Sequence, residues 1–489
     1  MLPMPTSGTI WQRSATELVG MVRRRELSPV EIVDAYLGRI DALDGPLGAY
    51  CTVDADGARS AARVAERAVS RGEHLGPLHG LPIAVKDLIF TGGLRTVGGS
   101  VAYRDFVPDE DDVAVTRIRA AGGIILGKTN VPPFGFGPGS SNAVFGATRN
   151  PWGLELTPGG SSGGSAVAVA AGLAPLALGG DGGGSIRIPA SFCGIVGYKP
   201  TFGVVPLYPG CRDPRFPGFS GWETLEHIGP MARTIDDAAL LLDVIAGPDP
   251  RDRHSVPRPV ASFQATDPIA RGLRIGCATS LGSYSWADPA VVASFDVAVE
   301  ALRSAGAIIE EVDLALDDPG PMYEITVALE SDIPALRDLA SGVPGAVNPR
   351  IEQMMDRPRT FDAASGAIAA RKRLYQSVSR TFEHVDLLLM PTVCVPPYRS
   401  DEIHPAVVAG IKVDDPRWLL WFTMPFNLTG HPAISIPTGW TASGLPVGIQ
   451  LVGDRFADLA VLDAARVLER ALPWTDAWPP AALDAAASA

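Results

Sequence analysis

The residues best suited to do chemistry are a lysine and two serines in glycine-rich surroundings. Lys86 ends a short apolar run, Ser161 lies in the sequence PGGSSGGS, and Ser185 follows the three glycines at 182–184. Consecutive glycines let the backbone turn tightly, so that successive N–H groups can point at one spot and bind an anion. A serine at the end of such a turn is well placed for acyl transfer, because these groups would stabilise the oxyanion of a tetrahedral intermediate.

A serine nucleophile needs a base, and no histidine lies near in sequence. The seven histidines are scattered, and none form an HxxxH or HExxH pair. Lys86 could act instead, because burial at the end of an apolar strand lowers the pKa of an amine and leaves it neutral. The residues alone leave a second interpretation open, in which Lys86 and Asp87 form a solvated pair and the glycines only make turns.

Two other segments match the residue pattern of a known motif but lack the secondary structure that the motif requires. Residues 122–129, GGIILGKT, fit the P-loop pattern, but a helix is predicted before them and Ile-Ile-Leu favours a strand inside them. Residues 160–164, GSSGG, fit the GxSxG nucleophile elbow with Ser162 as nucleophile. No strand is predicted upstream, and the two following glycines are a costly start for a helix. We therefore expect neither a nucleotide site nor an α/β-hydrolase triad.

Strand and helix patterns alternate along the chain. Apolar runs predict strands at 81–85, 123–126, 273–277, 308–312, 385–390, 433–436 and 447–452, and periodic patterns predict helices at 112–121, 234–246, 290–305 and 457–472. Capping boxes at Ser14–Glu17 and Ser28–Glu31 mark two early helix starts. This alternation is typical of the α/β class with a parallel or mixed core sheet.

A polar, proline-rich connection at 248–258 divides the chain. We predict an N-terminal helical region over 1–75 and a core over 76–250 that holds the candidate residues. A second α/β portion over 259–489 is expected to complete the same large domain.

The composition excludes several kinds of protein. With 46% hydrophobic and 19% charged residues, the 489-residue chain can bury a large core and is not disordered. A net charge of −13 without a dense Lys/Arg run opposes nucleic-acid binding. Five widely spaced cysteines are typical of a reducing compartment, so we expect a cytoplasmic protein.

No segment has the pattern of a signal peptide or a membrane span. Residues 1–13 lack a basic region followed by an apolar stretch. Residues 156–180 carry no charge and are long enough to cross a bilayer, but they are rich in glycine and serine and contain two prolines. We expect this stretch to be a buried core segment, and we expect no membrane partner.

The stretch from 158 to 201, with the motifs around it, is similar to the amidase signature family of serine hydrolases. The matching motifs are GLPIAVKD at 80–87, GKTN at 127–130, RNPW at 149–152, TPGGSSGGSA at 157–166, DGGGSIRIP at 181–189, GPMARTIDD at 229–237 and GLPVGIQLVG at 444–453. The resemblance covers nearly the whole chain. It implies the amidase signature fold, in which a central mixed β-sheet is covered by helices on both faces.

The resemblance also implies roles for the candidate residues. By position, Ser185 is the nucleophile, Lys86 is the base, and Ser161, after a cis peptide bond, relays the proton between them. The oxyanion would be held by the N–H groups of Gly182, Gly183 and Gly184, together with that of Ser185. The residues expected to support the site are Asp181, Arg187 and Asn130. Hydrolysis would proceed through an acyl-enzyme, and no metal or cofactor is expected.

The substrate is less tightly specified than the reaction. Members often carry Thr or Ser where this chain has Gly180 and Gly182, and an acidic residue where it has Pro133. The aromatic residues that could line an apolar pocket are Phe134, Phe136, Trp418, Trp421 and Phe422. They favour aryl or aliphatic amides, as in bacterial amidases, aryl acylamidases and urethanases, with carbamates and esters as further substrates. The irregular loop 208–222 could act as a lid or be an ordinary surface loop.

Two other functions fit parts of the pattern. One is that of the A subunit in a tRNA-dependent amidotransferase, a glutaminase partner in a complex; its family carries a Gly-Thr-Tyr-containing helix that residues 368–376 lack. The other is an inactive binding protein, against which the intact Lys86, Ser161 and Ser185 argue. We expect a small-molecule hydrolase that works as a monomer or homodimer, without nucleic acid.

Overall fold

A mixed sheet of 11 strands is the centre of the structure, a computed structural model that describes residues 10–264, 268–282, 287–314, 316–414 and 417–483. Its strands are β1 (Tyr50–Val53), β2 (Pro82–Lys86), β3 (Ile124–Thr129), β6 (Leu176–Gly180), β7 (Val196–Lys199), β8 (Ile228–Ala232), β9 (Arg274–Cys277), β10 (Ile308–Glu311), β11 (Leu387–Pro391), β14 (Ala433–Trp440) and β15 (Pro446–Gly453). Two small hairpins pair β4 (Ser141–Asn142) with β5 (Gly146–Ala147), and β12 (Val407–Val408) with β13 (Ile411–Lys412).

Helices connect and flank these strands. They are α1 (Ala15–Arg23), α2 (Pro29–Leu47), α3 (Ala55–Arg71), α4 (Val113–Ala120), α5 (Gly163–Ala170), α6 (Arg187–Cys193), α7 (Ile235–Ile245), α8 (Pro289–Ser304), α9 (Pro319–Leu329), α10 (Ile333–Gly342), α11 (Pro349–Asp356), α12 (Phe361–Thr381), α13 (Pro425–Thr429), α14 (Asp458–Ala471) and α15 (Pro480–Leu483). Single 3₁₀ turns lie at Val101–Tyr103, Pro133–Gly135, Gly210–Arg212 and Trp418–Leu420. Both predicted capping boxes are present, at the starts of α1 and α2.

The strand order across the sheet is β1-β3-β2-β6-β8-β7-β14-β15-β11-β9-β10. Strands β3, β2 and β6 run parallel to one another, as do β11, β9 and β10, and the pairings between these two groups are antiparallel. The predicted α/β class and the mixed sheet flanked by helices are therefore confirmed. Strands from both sides of the 248–258 connection join this one sheet, and the proposed division of the chain stays a prediction.

The uncharged stretch 156–180 is buried and forms the short helix α5 and the strand β6. The sequence disfavoured a helix start at the two glycines 163 and 164, yet α5 begins there. The reason is space, because a side chain at Gly164 would collide with the backbone of Asn130 and come within 2.6 Å of the Ala49 carbonyl. Among the described residues, no helix is both long and apolar enough to cross a membrane.

Candidate active site

The candidate residues meet at one edge of the central sheet. Lys86 is the last residue of β2, and the segment 181–185 follows directly after β6. Because β2 and β6 are parallel neighbours, their carboxyl ends lie side by side. The start of α5 brings the second serine loop to the same place, where the Ser162 N–H donates to the Ser185 carbonyl at 3.1 Å.

Lys86 and Ser161 are joined directly. The Lys86 Nζ donates to the Ser161 hydroxyl at 2.9 Å and to the Gly180 carbonyl at 2.9 Å. Lys86 is 1% exposed and Ser161 2% exposed. Burial lowers the pKa of the Lys86 amine, because a charge is costly away from water. A buried amine of this kind can be neutral and can accept a proton from the serine that it touches.

Ser185 lines the same cleft as Lys86 and Ser161. Unlike these two, it is partly exposed, so its hydroxyl is open to a molecule that enters the cleft. The peptide bond between Gly160 and Ser161 is cis, as the resemblance implies. The structure therefore brings the three expected residues together, with one accessible serine beside a buried serine–lysine pair.

The glycine turn before Ser185 differs from the expectation at one position. The Gly184 N–H donates to Asp181 Oδ1 at 2.7 Å, so it is already used within the chain and is not free to bind an oxyanion. The N–H groups of Gly182, Gly183 and Ser185 have no acceptor among the described residues. These three, rather than the three glycines, are available to hold a negative oxygen.

Asp181 and Arg187 form a fully buried ion pair behind this turn. The Arg187 Nε and Nη2 donate to the two carboxylate oxygens of Asp181 at 3.0 Å each, and both side chains are 0% exposed. Burial alone would raise the pKa of Asp181, but the charge and hydrogen bonds of Arg187 hold it well below its usual range. The carboxylate also accepts the Gly184 and Ile186 N–H groups, so the pair holds the turn before Ser185 in place.

The third supporting residue lies outside the cleft. The Asn130 side chain donates to the Gly146 carbonyl and the Thr148 hydroxyl, both at 3.2 Å, and it ties the end of β3 to a neighbouring loop.

Ser162, the nucleophile of the GxSxG match, has a structural role, because its hydroxyl donates to the Gly180 carbonyl and it is fully buried. Residues 124–129 of the P-loop match form a strand. The P-loop match therefore does not form a phosphate-binding loop, and Ser162 of the GxSxG match is not an accessible nucleophile.

Apolar side chains form most of the cleft wall. They come from the segment after β2, from Phe134, and from the loop 208–222, which contributes Phe219 and Trp222. Four of the expected lining residues do not line the cleft. Trp418, Trp421 and Phe422 are buried in the core around α9 and α12. Phe136 packs on the cleft residue Trp222, with 4.6 Å between the ring centroids. The loop 208–222 is thus a wall of the cleft, and it packs on an aromatic cluster with Phe90 and Tyr103.

Glu226 also lines the cleft, and the sequence patterns did not point to it. A signal was nevertheless present, since Gly180 and Gly182 replace the larger residues common in the family. Burial raises the pKa of the Glu226 carboxyl, and the Lys86 charge opposes that rise. Lys86 is the only cationic side chain among the described residues that line the cleft.

Comparisons with known proteins identify the family of the chain. A model of the family described as Amidase matches residues 31–462. The chain is 36% identical to the A subunit of the glutamyl-tRNA(Gln) amidotransferase from Alkaliphilus metalliredigens, covering 92% of this chain and 94% of the relative. It is similar to the crystal structure of a bacterial aryl acylamidase of the amidase signature family, with a TM-score of 0.86 at 30% identity, covering 95% and 97% of the two chains. It is also similar to 6-aminohexanoate cyclic dimer hydrolase in complex with its substrate, with a TM-score of 0.84 at 30% identity, covering 97% and 99%. The chain therefore belongs to the amidase family and is an enzyme that acts on carbon–nitrogen bonds.

Proposed function

We propose that this protein hydrolyses amides with apolar acyl or aryl groups through an acyl-enzyme on Ser185. Carbamates and esters are further substrates of the same chemistry. The observation that carries the proposal is the cleft itself. Its walls are mostly apolar, and a partly exposed serine lies in it beside a buried serine–lysine pair. Apolar walls favour apolar substrates by removing their surface from water.

The reaction proceeds in two steps, acylation of Ser185 and hydrolysis of the acyl-enzyme. Ser185 Oγ attacks the carbonyl carbon while its proton passes to Ser161, whose own proton passes to the neutral Lys86 amine. The free N–H groups of Gly182, Gly183 and Ser185 hold the oxyanion. The carbon–nitrogen bond then breaks, and the proton returns through Ser161 to the leaving amine. Water cleaves the acyl-enzyme by the same proton path.

A second function is favoured by the curated relatives. Several of them are named as the A subunit of a glutamyl-tRNA(Gln) amidotransferase, and they are 36–38% identical over most of both chains. In that case glutamine would be the amide substrate, and the chain would work with partner proteins and tRNA. Two features weigh against it. The chain lacks the Gly-Thr-Tyr helix pattern, and no arginine is among the described residues that line the cleft to receive a free α-carboxylate.

One substrate panel separates these functions. The purified chain is assayed alone on L-glutamine, p-nitroacetanilide, an aryl carbamate and p-nitrophenyl acetate. We expect turnover of the aryl substrates and little release of ammonia from glutamine. Glutamine turnover with no aryl amidase activity would favour the amidotransferase function instead. A monomer or homodimer in the cytoplasm is the accompanying proposal, in keeping with five cysteines that form no disulfide.

The nucleophile is tested in the same assay. We expect Ser185→Ala and Ser161→Ala to lower kcat/KM by at least about 100-fold, because each removes a member of the proton path. Ser304→Ala, at an exposed helix position, is the matched control and should be silent. A fluorophosphonate label should attach to Ser185 by mass spectrometry. Full activity in Ser185→Ala, or an adduct on Ser162, would show the mechanism to be wrong.

A further inference from the structure

The carboxylate of Glu226 occupies the space next to two glycines. A side chain at Gly180 would collide with Glu226 Oε1, and a Cβ built on Gly182 would lie 2.8 Å from Glu226 Oε2. The carboxylate therefore fills the space that the two glycines leave open, between the end of β6 and the oxyanion turn.

Glu226 has no hydrogen-bond or ion-pair partner for its carboxylate among the described residues. Only its backbone N–H is bonded, to the Trp222 carbonyl at 2.8 Å. Its side chain faces the cleft, with Lys86 and Ser185 in the same wall. Glu226 is half-buried, and its unpaired carboxylate is stabilised there by a nearby positive charge.

Lys86 is the charge that Glu226 faces. The same hypothetical Cβ on Gly180 that would strike Glu226 Oε1 lies 3.3 Å from Lys86 Nζ, so the two groups flank one small space. Within the described part of the chain, the Lys86 amine donates hydrogen bonds only to the neutral oxygens of Ser161 and Gly180. The other nearby carboxylate, Asp181, is held by both nitrogens of its Arg187 pair. Glu226 is thus the free carboxylate that can respond to a proton on Lys86.

Other charged and titratable groups surround this pair from the neighbouring elements. They are Asp112, Asp181, Arg187, Arg212, His227 and Tyr323. Arg212 is paired with Asp252 at 3.0 Å, and burial keeps His227 neutral by lowering its pKa well below the usual range. Burial also raises the pKa of Tyr323, whose hydroxyl donates to the Gly182 carbonyl. Burial also raises the pKa of Cys211, which lines the same cleft, so its thiol stays neutral as His227 and Tyr323 do. Burial raises the pKa of Asp112 to about 7, so this carboxyl titrates close to neutral pH.

We propose that Glu226 is a positioning residue that supplies the counter-charge for Lys86 during acyl transfer. The proposal rests on the function proposed above. When the Ser185 Oγ–carbon bond forms, the Ser185 proton moves to Ser161 and the Ser161 proton to Lys86, which becomes an ammonium. Burial raises the pKa of Glu226 to about 7, so above that pH its carboxylate is ionised and stabilises the ammonium until the proton leaves with the amine. Gly180 and Gly182 leave the space that the longer carboxylate needs.

The pH profile of kcat/KM tests this role. An ionised Glu226 favours the charged form of Lys86, so its removal makes the lysine easier to deprotonate. In Glu226→Gln we therefore expect the midpoint of the acid limb of the kcat/KM profile to move to lower pH by about one unit or more. This is the size of the pKa shift that an opposite charge a few ångströms away produces. The plateau rate should fall at least about tenfold, because the ammonium loses its counter-charge. Glu226→Asp should give an intermediate midpoint, and thermal melts report whether each variant folds.

Glu223→Gln is the matched control, since Glu223 lies three residues away in the same loop and pairs with Arg253 instead. It should leave both midpoint and plateau unchanged. A space test accompanies it: Gly180→Ala alone should lose most activity, and Glu226→Asp in the same chain should restore part of it. A lower plateau with an unmoved midpoint in both Glu226 variants would overturn the proposal. Full activity in Ser185→Ala would instead overturn the proposed function, so the two failures are distinguishable.

Discussion

Replacing Asp181 by Asn should be far more destabilising than its small change in shape suggests. The substitution removes the negative charge from a pair in which both side chains are 0% exposed, and it leaves the Arg187 guanidinium buried with neutral partners only. Breaking one side of a buried ion pair costs about 3–5 kcal/mol, because the remaining charge is neither solvated nor balanced. The turn before Ser185 should also loosen, since Asp181 accepts the Gly184 and Ile186 N–H groups.

The assay is urea unfolding followed by tryptophan fluorescence, with activity measured on the same samples. Asp34→Asn is the matched control, because Asp34 pairs with Arg59 at 2.8 Å but both side chains are about half exposed. An exposed pair contributes roughly 0.2–1 kcal/mol. We expect the unfolding free energy to fall several times more in Asp181→Asn than in Asp34→Asn. Equal losses in the two variants would refute the reasoning, because both the burial of the Asp181–Arg187 pair and the further hydrogen bonds of Asp181 predict the larger loss.

Two further predictions concern the same turn. Gly184→Ala should destabilise the protein by roughly 1–3 kcal/mol and abolish most activity, because φ is +133° there and a Cβ would lie 2.8 Å from Ile188 Cδ1. Gly38→Ala, in open space on α2, should instead add up to about 1 kcal/mol; thermal melts compare the two, and a silent Gly184→Ala would contradict the geometry. The pH dependence of stability gives the second: the folded pKa of Asp181 lies below its unfolded value, so its stabilisation is present above about pH 4 and is lost as the pH falls toward the folded pKa. The difference in urea midpoint between wild type and Asp181→Asn should therefore narrow below about pH 4, and a constant difference down to about pH 2 would be evidence against it.

Local sequence determined much of what was predicted correctly. The alternation of apolar runs and helical periods specified the α/β class, because these periods follow from strand and helix geometry alone. The capping boxes at Ser14 and Ser28 correctly predicted two helix starts, because a capping box depends only on residues three positions apart. A tight turn before Ser185 could also be predicted from the sequence, because the backbone freedom of this turn comes from three consecutive glycines.

Tertiary structure decided which distant residues share the site. Lys86 meets Ser161 only because β2 and β6 are paired in parallel, and no local pattern specifies strand order. Packing between distant segments also placed Glu226 beside Lys86 and buried Trp418 in the core instead of the cleft. Sequence periodicity shows that a side chain is apolar or charged, but its neighbours depend on contacts between segments far apart in the chain. The candidate residues could therefore be predicted from the sequence, whereas the charges around them and the shape of the cleft depend on the tertiary structure.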